Sequence, residues 1–137
     1  MKLRVICKSK IHRATVTEAD LEYIGSIAID EDLMRRTDIV PGEKVAVWNL
    51  SNGERIETYA IAAPAGSGSI VVNGAAARKF RAKDHVIIAA FLLTDEPVMP
   101  RMILVDSKNQ FAGDLVDNRR PSDEEFDPER FAEEPPG

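Results

Sequence analysis

Hydrophobic and polar residues alternate along several short stretches of the chain, which predicts β-strands. Leu3, Val5 and Cys7 alternate with basic or polar residues, and a second extended stretch covers residues 10–17. Two further alternating runs, residues 44–50 and 55–61, flank Asn52-Gly53, a dipeptide that favours a tight hairpin turn. The pattern therefore predicts a β-hairpin over residues 44–61, and it predicts more strands over residues 23–30, 70–72, 86–93 and 101–106.

Three short segments predict helix. Residues 30–36 place acids before bases, the order that a helix dipole favours, and Pro41-Gly42 follows them. Residues 17–20 form a partial capping box, which predicts a turn of helix, and the alanine-rich residues 73–80 predict another short helix. Many short strands with little helix predict a mainly β protein, a closed or nearly closed barrel with short helical inserts.

Length and composition indicate one domain in a reducing compartment. The chain has 137 residues, enough for one hydrophobic core, and no apolar run approaches the ~20 residues that span a bilayer. The N-terminus lacks the apolar block of a signal peptide. The single cysteine, Cys7, excludes an internal disulfide and is expected to be a buried strand residue. We therefore expect a cytoplasmic protein without a membrane partner.

The acidity of the chain is concentrated at its C-terminus. Residues 121–137 hold seven acids and one arginine, a local charge of −6, which leaves +1 for residues 1–120 of the net −5. This proline-rich segment is expected to be disordered. We therefore divide the chain into a β-barrel domain over residues 1–110 and an acidic tail over residues 111–137, whose function stays open. Basic residues elsewhere are scattered without aromatic neighbours, which argues against a nucleic-acid partner.

Two other features could suggest ligand sites. His12 and His85 are far apart and lack Cys or His at metal-binding spacing, so no metal is predicted. For His12, a structural hydrogen bond and a role near a reacting group both stay open. The Gly/Ser segment of residues 65–69 lacks the Lys-Ser/Thr of a phosphate loop and is expected to be a flexible hairpin connection.

The dipeptide Gly25-Ser26 interrupts a strand-like apolar run. Glycine within a strand usually marks a bulge, and the residues alone favour that interpretation. The alternative is self-cleavage: the Ser26 hydroxyl attacks the Gly25 carbonyl, and elimination from the resulting ester leaves a dehydroalanine that hydrolyses to a pyruvoyl group. A glycine before the serine would permit an otherwise disfavoured backbone conformation with no Cβ in the path of attack.

Residues 3–105 resemble the pyruvoyl-dependent aspartate decarboxylases of bacteria. Four separated motifs, in the order found in that family, carry the resemblance: KSKIHR (8–13), YIGSIAID (23–30), NGERIETYAI (52–61) and VNGAAA (72–77). The chain differs from many members at Ile27, where they have Cys, and from some at Ile24, where they have an acid. Neither difference touches the atoms that rearrange, but the rate of processing and the need for a maturation factor stay open.

The resemblance implies a double-psi β-barrel that assembles as a homotetramer with active sites at subunit interfaces. It implies cleavage between Gly25 and Ser26 into a β chain of residues 1–25 and an α chain of residues 26–137. The α chain would begin with a covalent pyruvoyl group derived from Ser26. The implied reaction is decarboxylation of L-aspartate at its α-carboxylate, through a Schiff base, to β-alanine and CO2 for pantothenate and coenzyme A biosynthesis.

The matching motifs also imply residue roles. Ser26 would supply the reactive carbonyl and Tyr59 would donate a proton to the substrate carbon. Lys10 and Arg55 would bind substrate carboxylate, a role that suits an ammonium and a guanidinium. Independently of the resemblance, strand alternation places Arg55, Glu57 and Tyr59 on one face.

The remaining roles concern self-processing and the space for substrate. Thr58 would polarise the Gly25 carbonyl and contact substrate, and Asn73 would stabilise the oxyanion of the cleavage intermediate. The backbone of Gly74, Ala75 and Ala76 would pack against substrate, with His12 and Tyr23 in support. Two alternatives stay open: a β-barrel interaction module without catalysis, and a pyruvoyl decarboxylase of another amino acid such as glutamate.

Overall fold

The structure is a computed structural model that describes residues 1–115, and this part of the chain is mainly β, as predicted. It contains two short helices, at two of the three segments that the sequence predicted to be helical. The elements in chain order are β1 (Arg4–Thr15), β2 (Glu18–Asp20), β3 (Ser26–Asp30), α1 (Glu31–Thr37), β4 (Lys44–Asn49), β5 (Arg55–Ala63), β6 (Ile70–Asn73), a 3₁₀ helix (Gly74–Lys79), β7 (His85–Thr94), β8 (Arg101–Val105) and β9 (Phe111–Asp114). The acidic segment expected to be disordered, residues 121–137, lies outside the described residues.

The described strands form one mixed sheet in the order β2-β6-β3-β5-β4-β7-β1-β8-β9. Three neighbouring pairs are parallel, namely β2 with β6, β3 with β5, and β1 with β8, and the other pairs are antiparallel. β9 extends the sheet beyond residue 110, the expected end of the barrel domain. The mixed pairing is consistent with the double-psi β-barrel that the resemblance implies, while closure of the barrel stays a prediction.

One hydrophobic core lies on the inner face of the sheet. Alternate residues of each central strand point into it, such as Val45 and Val47 of β4 and Val86 and Ile88 of β7. This alternation follows directly from the two-residue period of a strand. Burial of each such side chain stabilises the fold by about 1.5–3 kcal/mol. The core thereby fixes which face of every strand remains available for a functional site.

The hairpin predicted over residues 44–61 and the helix predicted over residues 30–36 are both confirmed. β4 and β5 pair antiparallel from Lys44 opposite Tyr59 to Trp48 opposite Arg55, around the Asn52-Gly53 turn. Helix α1 begins after Asp30, whose carboxylate accepts a hydrogen bond from the Asp32 amide at 2.9 Å. An acidic N-cap of this kind satisfies an amide that has no partner within the helix.

The helical turn predicted at residues 17–20 is wrong, because residues 18–20 form β2 and pair with β6. The Thr17 hydroxyl, which a capping box would aim at the following turn, exchanges hydrogen bonds with the backbone of Ile70 at 3.0 Å instead. The Thr17 hydroxyl thus has hydrogen-bond partners on a distant strand in place of those that a local helical turn would supply. The box also lacks the Glu or Gln that would complete it.

Two strand boundaries differ from the prediction. β1 is one continuous strand whose pairing with β7 shifts between Cys7 and Ser9 and again between Ile11 and Ala14. These bulges explain why the alternation resembled two separate strands. Cys7 is half-buried rather than buried. The strand predicted over residues 23–30 begins only at Ser26, because residues 21–25 form an exposed turn.

None of the helices within residues 1–115 combines the length and the apolar character needed to cross a bilayer.

Candidate active site

Ser26 lies at the boundary between an exposed turn and a buried strand. The turn before it is open to solvent, with Ile24 78% exposed, whereas Ser26 is only 2% exposed and Ile27 is fully buried in the core. Tyr23, expected to support the site, is also exposed in this turn. The Gly25–Ser26 peptide bond therefore joins a segment that the core does not hold to one that it holds firmly.

Asn73 of β6 lies directly opposite Ser26 in the antiparallel pairing of β3 and β6. Its side-chain amide donates a hydrogen bond to Ser26 Oγ at 3.1 Å, and both side chains are buried. The Ser26 hydroxyl in turn donates to the backbone carbonyl of Ile24 at 3.4 Å. The hydroxyl is thus held between a side-chain donor and the main chain just before Gly25, which restricts where its oxygen can point.

Gly74, the first residue of the 3₁₀ helix, packs directly against the backbone of Gly25. Gly74 has a φ of +73°, and a Cβ placed on it would lie 2.6 Å from the Gly25 Cα and 2.8 Å from the Gly25 nitrogen. Gly25 itself does not have a positive φ, and a Cβ on it would meet nothing within 4 Å. Gly25 therefore does not use the left-handed conformation that glycine permits, and the Cβ-free path of attack stays a prediction. Position 74 is where the backbone contacts leave no room for a Cβ.

Thr58 and Tyr59 lie on the strand beside Ser26. β3 and β5 are parallel with Ile27 opposite Ala60, so the two residues before Ala60 run alongside Gly25 and Ser26. Thr58 is half-buried, and Tyr59 is 40% exposed. The structure therefore brings four predicted site residues to the same end of β3: Ser26, Thr58, Tyr59 and Asn73, with Gly74 beside them.

Ala75 and Ala76 follow Gly74 in the first turn of the 3₁₀ helix. Ala75 is exposed, whereas Ala76 is half-buried and packs against the core. Both side chains are single methyl groups, and they follow Gly74, which packs against Gly25 next to Ser26.

Arg55 and Tyr59 share the exposed face of β5 with Glu57, as the alternation predicted. The Arg55 guanidinium lies 4.9 Å from the centre of the Trp48 ring, across the hairpin. A shallow pocket of about 420 Å³ adjoins them and is lined by Ala46, Trp48, Arg55, Ile56, Glu57 and Phe91. Trp48 was missed by the sequence reasoning, although the hairpin register would have placed it opposite Arg55.

Lys10 and His12 lie on β1, which three strands separate from β3 in the sheet order. Lys10 pairs with Ala89 and Met102, and no hydrogen bond in the described residues joins it to Ser26. The sheet therefore does not unite Lys10 and His12 with the Ser26 group. Lys10 and His12 are thus predicted site residues that lie on a different part of the sheet from Ser26 within one chain.

His12 occupies the second bulge of β1, next to Arg13, whose φ is +61°. Its Nδ1 atom is buried and has no hydrogen-bond partner among residues 1–115. Burial, with smaller contributions from the charges of Lys10 and Arg13, lowers the pKa of His12 below its ordinary value of 6.5. The structural hydrogen bond considered for His12 is thus not made through Nδ1.

Asp30 was also missed by the sequence reasoning, although it anchors the far end of β3. Its carboxylate is 1% exposed and accepts backbone hydrogen bonds from Gly66 and Gly68 at 2.9 and 2.8 Å, besides the one from Asp32. The Gly/Ser segment connects β5 to β6, but the predicted hairpin is wrong, because β3 lies between these two strands in the sheet. Its Gly66 and Gly68 amides donate to the internal carboxylate, which also fixes a segment that was expected to be flexible. An acid that ends an alternating strand and precedes a helix is the signal that could have identified it.

The described residues include no group of three or more His, Cys, Asp or Glu side chains placed to hold a metal ion. On β5, Tyr59 lies beside Ser26, and Arg55 and Glu57 share the exposed face of that strand with Tyr59.

Comparison with known proteins places the chain in a family. The family model for aspartate decarboxylase matches residues 1–112. Over 111 residues, 78% of this chain, the sequence is 52% identical to aspartate 1-decarboxylase of Myxococcus xanthus, 54% identical to that of Moorella thermoacetica and 52% identical to that of Syntrophus aciditrophicus. The aligned regions cover 85%, 87% and 96% of those proteins. The chain belongs to the aspartate decarboxylase family.

Proposed function

We propose that this chain is a pyruvoyl-dependent aspartate 1-decarboxylase, a carboxy-lyase that converts L-aspartate to β-alanine and CO2 for pantothenate and coenzyme A biosynthesis. Family membership supports the reaction. The buried Ser26 hydroxyl is the observation that supports the pyruvoyl group and self-cleavage. Ser26 follows a glycine and an exposed turn, and the Asn73 amide donates a hydrogen bond to its Oγ at 3.1 Å. In the proposed self-cleavage this hydrogen bond would hold the attacking oxygen.

The pyruvoyl group would form from Ser26 without any other reactant than water. The Ser26 Oγ–Gly25 C bond forms as the Gly25 C–Ser26 N bond breaks, and the hydroxyl proton passes to the freed amine. Loss of the Ser26 Cα proton then breaks the Cβ–Oγ bond, leaving Gly25 as a carboxyl terminus and residue 26 as dehydroalanine. Hydrolysis releases ammonia and leaves the ketone.

The residues around Ser26 fit this sequence of steps. The Asn73 amide holds the attacking oxygen and would then stabilise the oxyanion that develops as Oγ adds to the carbonyl. Thr58, beside Gly25 on β5, has a hydroxyl that can polarise the Gly25 carbonyl. The exposed turn of residues 21–25 gives the cleaved end freedom to separate.

The pyruvoyl ketone supplies an electron sink for the electrons that the departing α-carboxylate leaves behind. Tyr59, beside Ser26 and partly exposed, is the proposed donor of the proton that replaces the carboxylate on the substrate carbon. Ala75 and Ala76, with the Gly74 backbone, would bound the space for the substrate. Arg55 would bind a substrate carboxylate through paired hydrogen bonds.

A homotetramer with active sites between subunits completes the proposal. Lys10 lies three strands from β3 in the sheet, so a cation in its role could reach a Ser26 group more readily from a second copy of the chain. Val5, Phe91 and Leu93 form an exposed apolar surface on β1 and β7 that a second copy could cover. We assign the enzyme to the cytoplasm, in keeping with its single cysteine.

The direct test is to supply the purified protein with L-aspartate or L-glutamate and to measure CO2 together with the amine product. We expect β-alanine from aspartate and little product from glutamate. Preference for glutamate would replace the proposed substrate with the longer acid. Absence of product from both, in a folded protein, would favour the interaction module.

A further inference from the structure

We propose that Gly74 is a positioning residue for self-cleavage. Because Gly74 has no side chain, the backbone of Gly25 can lie against the 3₁₀ helix, where the Gly25 carbonyl carbon is in reach of the Ser26 hydroxyl. This inference rests on the proposed function, because it concerns the cleavage step that creates the reactive group. It adds a role in maturation to the substrate-packing role proposed for the Gly74 backbone.

The contact between Gly74 and Gly25 joins two backbones. A Cβ on Gly74 would lie 2.6 Å from the Gly25 Cα, 2.8 Å from its nitrogen and 3.3 Å from the Tyr23 carbonyl oxygen. A Cβ cannot lie this close to main-chain atoms, so one of the two backbones would have to shift. Because the nearest atoms are main chain, no flexible side chain can rotate away. Any side chain at position 74 must therefore move the scissile peptide or the helix.

The position of this contact makes such a displacement specific to cleavage. Gly74 follows Asn73, and Gly25 precedes Ser26, so the two glycines flank the hydrogen bond from Asn73 to Ser26 Oγ. Moving either backbone changes the angle and the distance at which Oγ approaches the Gly25 carbonyl carbon. Intramolecular attack depends steeply on such geometry, and a misplacement of about 1 Å can slow a reaction about 10²-fold.

The chain offers a matched control in Gly53. Gly53 has a φ of +80°, close to the +73° of Gly74, but a Cβ on it would meet nothing within 4 Å. Alanine at either position is strained by the left-handed backbone, and only alanine at position 74 also meets Gly25. Comparison of the two variants therefore isolates the contact from the conformational strain.

The test is the rate of cleavage of Gly74→Ala and Gly53→Ala, made by pulsed synthesis in a translation extract and followed by intact mass, without aspartate. Circular dichroism and the thermal midpoint of purified samples establish folding. We expect Gly53→Ala to cleave within about twofold of the wild type and Gly74→Ala at least about 50-fold more slowly, with the same circular dichroism spectrum. Equal rates for the two variants would overturn the inference.

A second pair of variants keeps the inference testable if Gly74→Ala folds poorly. Asparagine tolerates a positive φ better than alanine while still carrying a Cβ, so Gly74→Asn and Gly53→Asn repeat the comparison with less strain. If both Gly74 variants fail to fold while both Gly53 variants fold, the contact supports the fold and the inference is wrong. A wild-type chain that never cleaves would instead remove the proposed function itself.

Discussion

The side-chain amide of Asn73 donates a hydrogen bond to Ser26 Oγ across the β3–β6 pair, and both groups are buried. A buried hydroxyl and a buried amide each need a partner, and here each supplies one to the other. The bond restricts where the serine oxygen can point, one residue after Gly25 in the chain. The proposed self-cleavage therefore depends on strand register as much as on the presence of Gly-Ser.

Asn73→Ala is expected to slow cleavage about 10²-fold, because removal of one preorganised donor to a developing oxyanion costs about that factor. The measurement is the first-order appearance of the two fragments in freshly synthesised protein. Asn52→Ala, in the exposed hairpin turn, is the control and should cleave at the wild-type rate. An unchanged rate for Asn73→Ala would remove Asn73 from the cleavage step.

Ser26→Ala is expected to give a folded, uncleaved and inactive protein, because alanine lacks the attacking hydroxyl and occupies less space at a buried position. Intact mass should show one chain, and circular dichroism should match that of the wild type. Appreciable release of CO2 from aspartate by this variant would contradict the proposed chemistry.

Tyr59→Phe is expected to cleave normally but to lose about 10²–10⁴-fold in kcat, the range that a positioned proton donor contributes. The substitution removes the phenolic oxygen and little volume, and Tyr59 is partly exposed, so folding should not suffer. Fragment masses report cleavage and β-alanine formation reports turnover. Wild-type turnover in a cleaved variant would exclude Tyr59 as the donor.

Asp30→Ala is expected to destabilise the protein by about 3 kcal/mol, because the buried Gly68 amide and its neighbours lose their acceptor. Asp32→Ala is the control: its exposed pair with Arg36, at 3.3 Å, contributes about 0.5 kcal/mol or less. Urea denaturation gives both values. Equal midpoints for the two variants would show that the Asp30 carboxylate does not anchor the Gly/Ser segment.

Protonation of His12 is expected to destabilise the folded protein as the pH falls. Burial lowers the pKa of His12 in the folded state, whereas the unfolded chain keeps a value near 6.5. Below about pH 6.5 the unfolded state therefore binds the proton more readily, and stability is lost until the pH reaches the lower, folded pKa. His12→Gln should flatten the pH dependence of the denaturation midpoint in this range. The same slope in His12→Gln as in the wild type would refute the assignment.

Local patterns predicted the elements whose partners are close in sequence. The Asn52-Gly53 turn specified the β4–β5 hairpin, and Asp30 followed by acids and then bases specified α1, because turn and cap chemistry act within a few residues. The helical turn predicted at residues 17–20 is wrong for the opposite reason. Their structure is decided by Val71, Val72 and Asn73, some fifty residues away, with which β2 pairs.

The sequence predicted which residues would lie together near Ser26, but not how their backbones pack. The motifs around Ser26, Tyr59 and Asn73 identified side chains that the structure brings to one end of β3. The contact of Gly74 with Gly25 could not be read from the sequence, since it depends on how two separate turns approach each other. Lys10 belongs to the same set of motifs, yet it lies on a strand remote from β3 in the sheet order.

Intact mass of the purified full-length protein tests the central claim most directly. We expect two fragments, with masses equal to residues 1–25 and to residues 26–137 with Ser26 converted to a pyruvoyl group. The larger fragment should have no free α-amine. A single uncleaved chain of 137 residues that persists after prolonged warming, in a protein shown to be folded, would contradict the account.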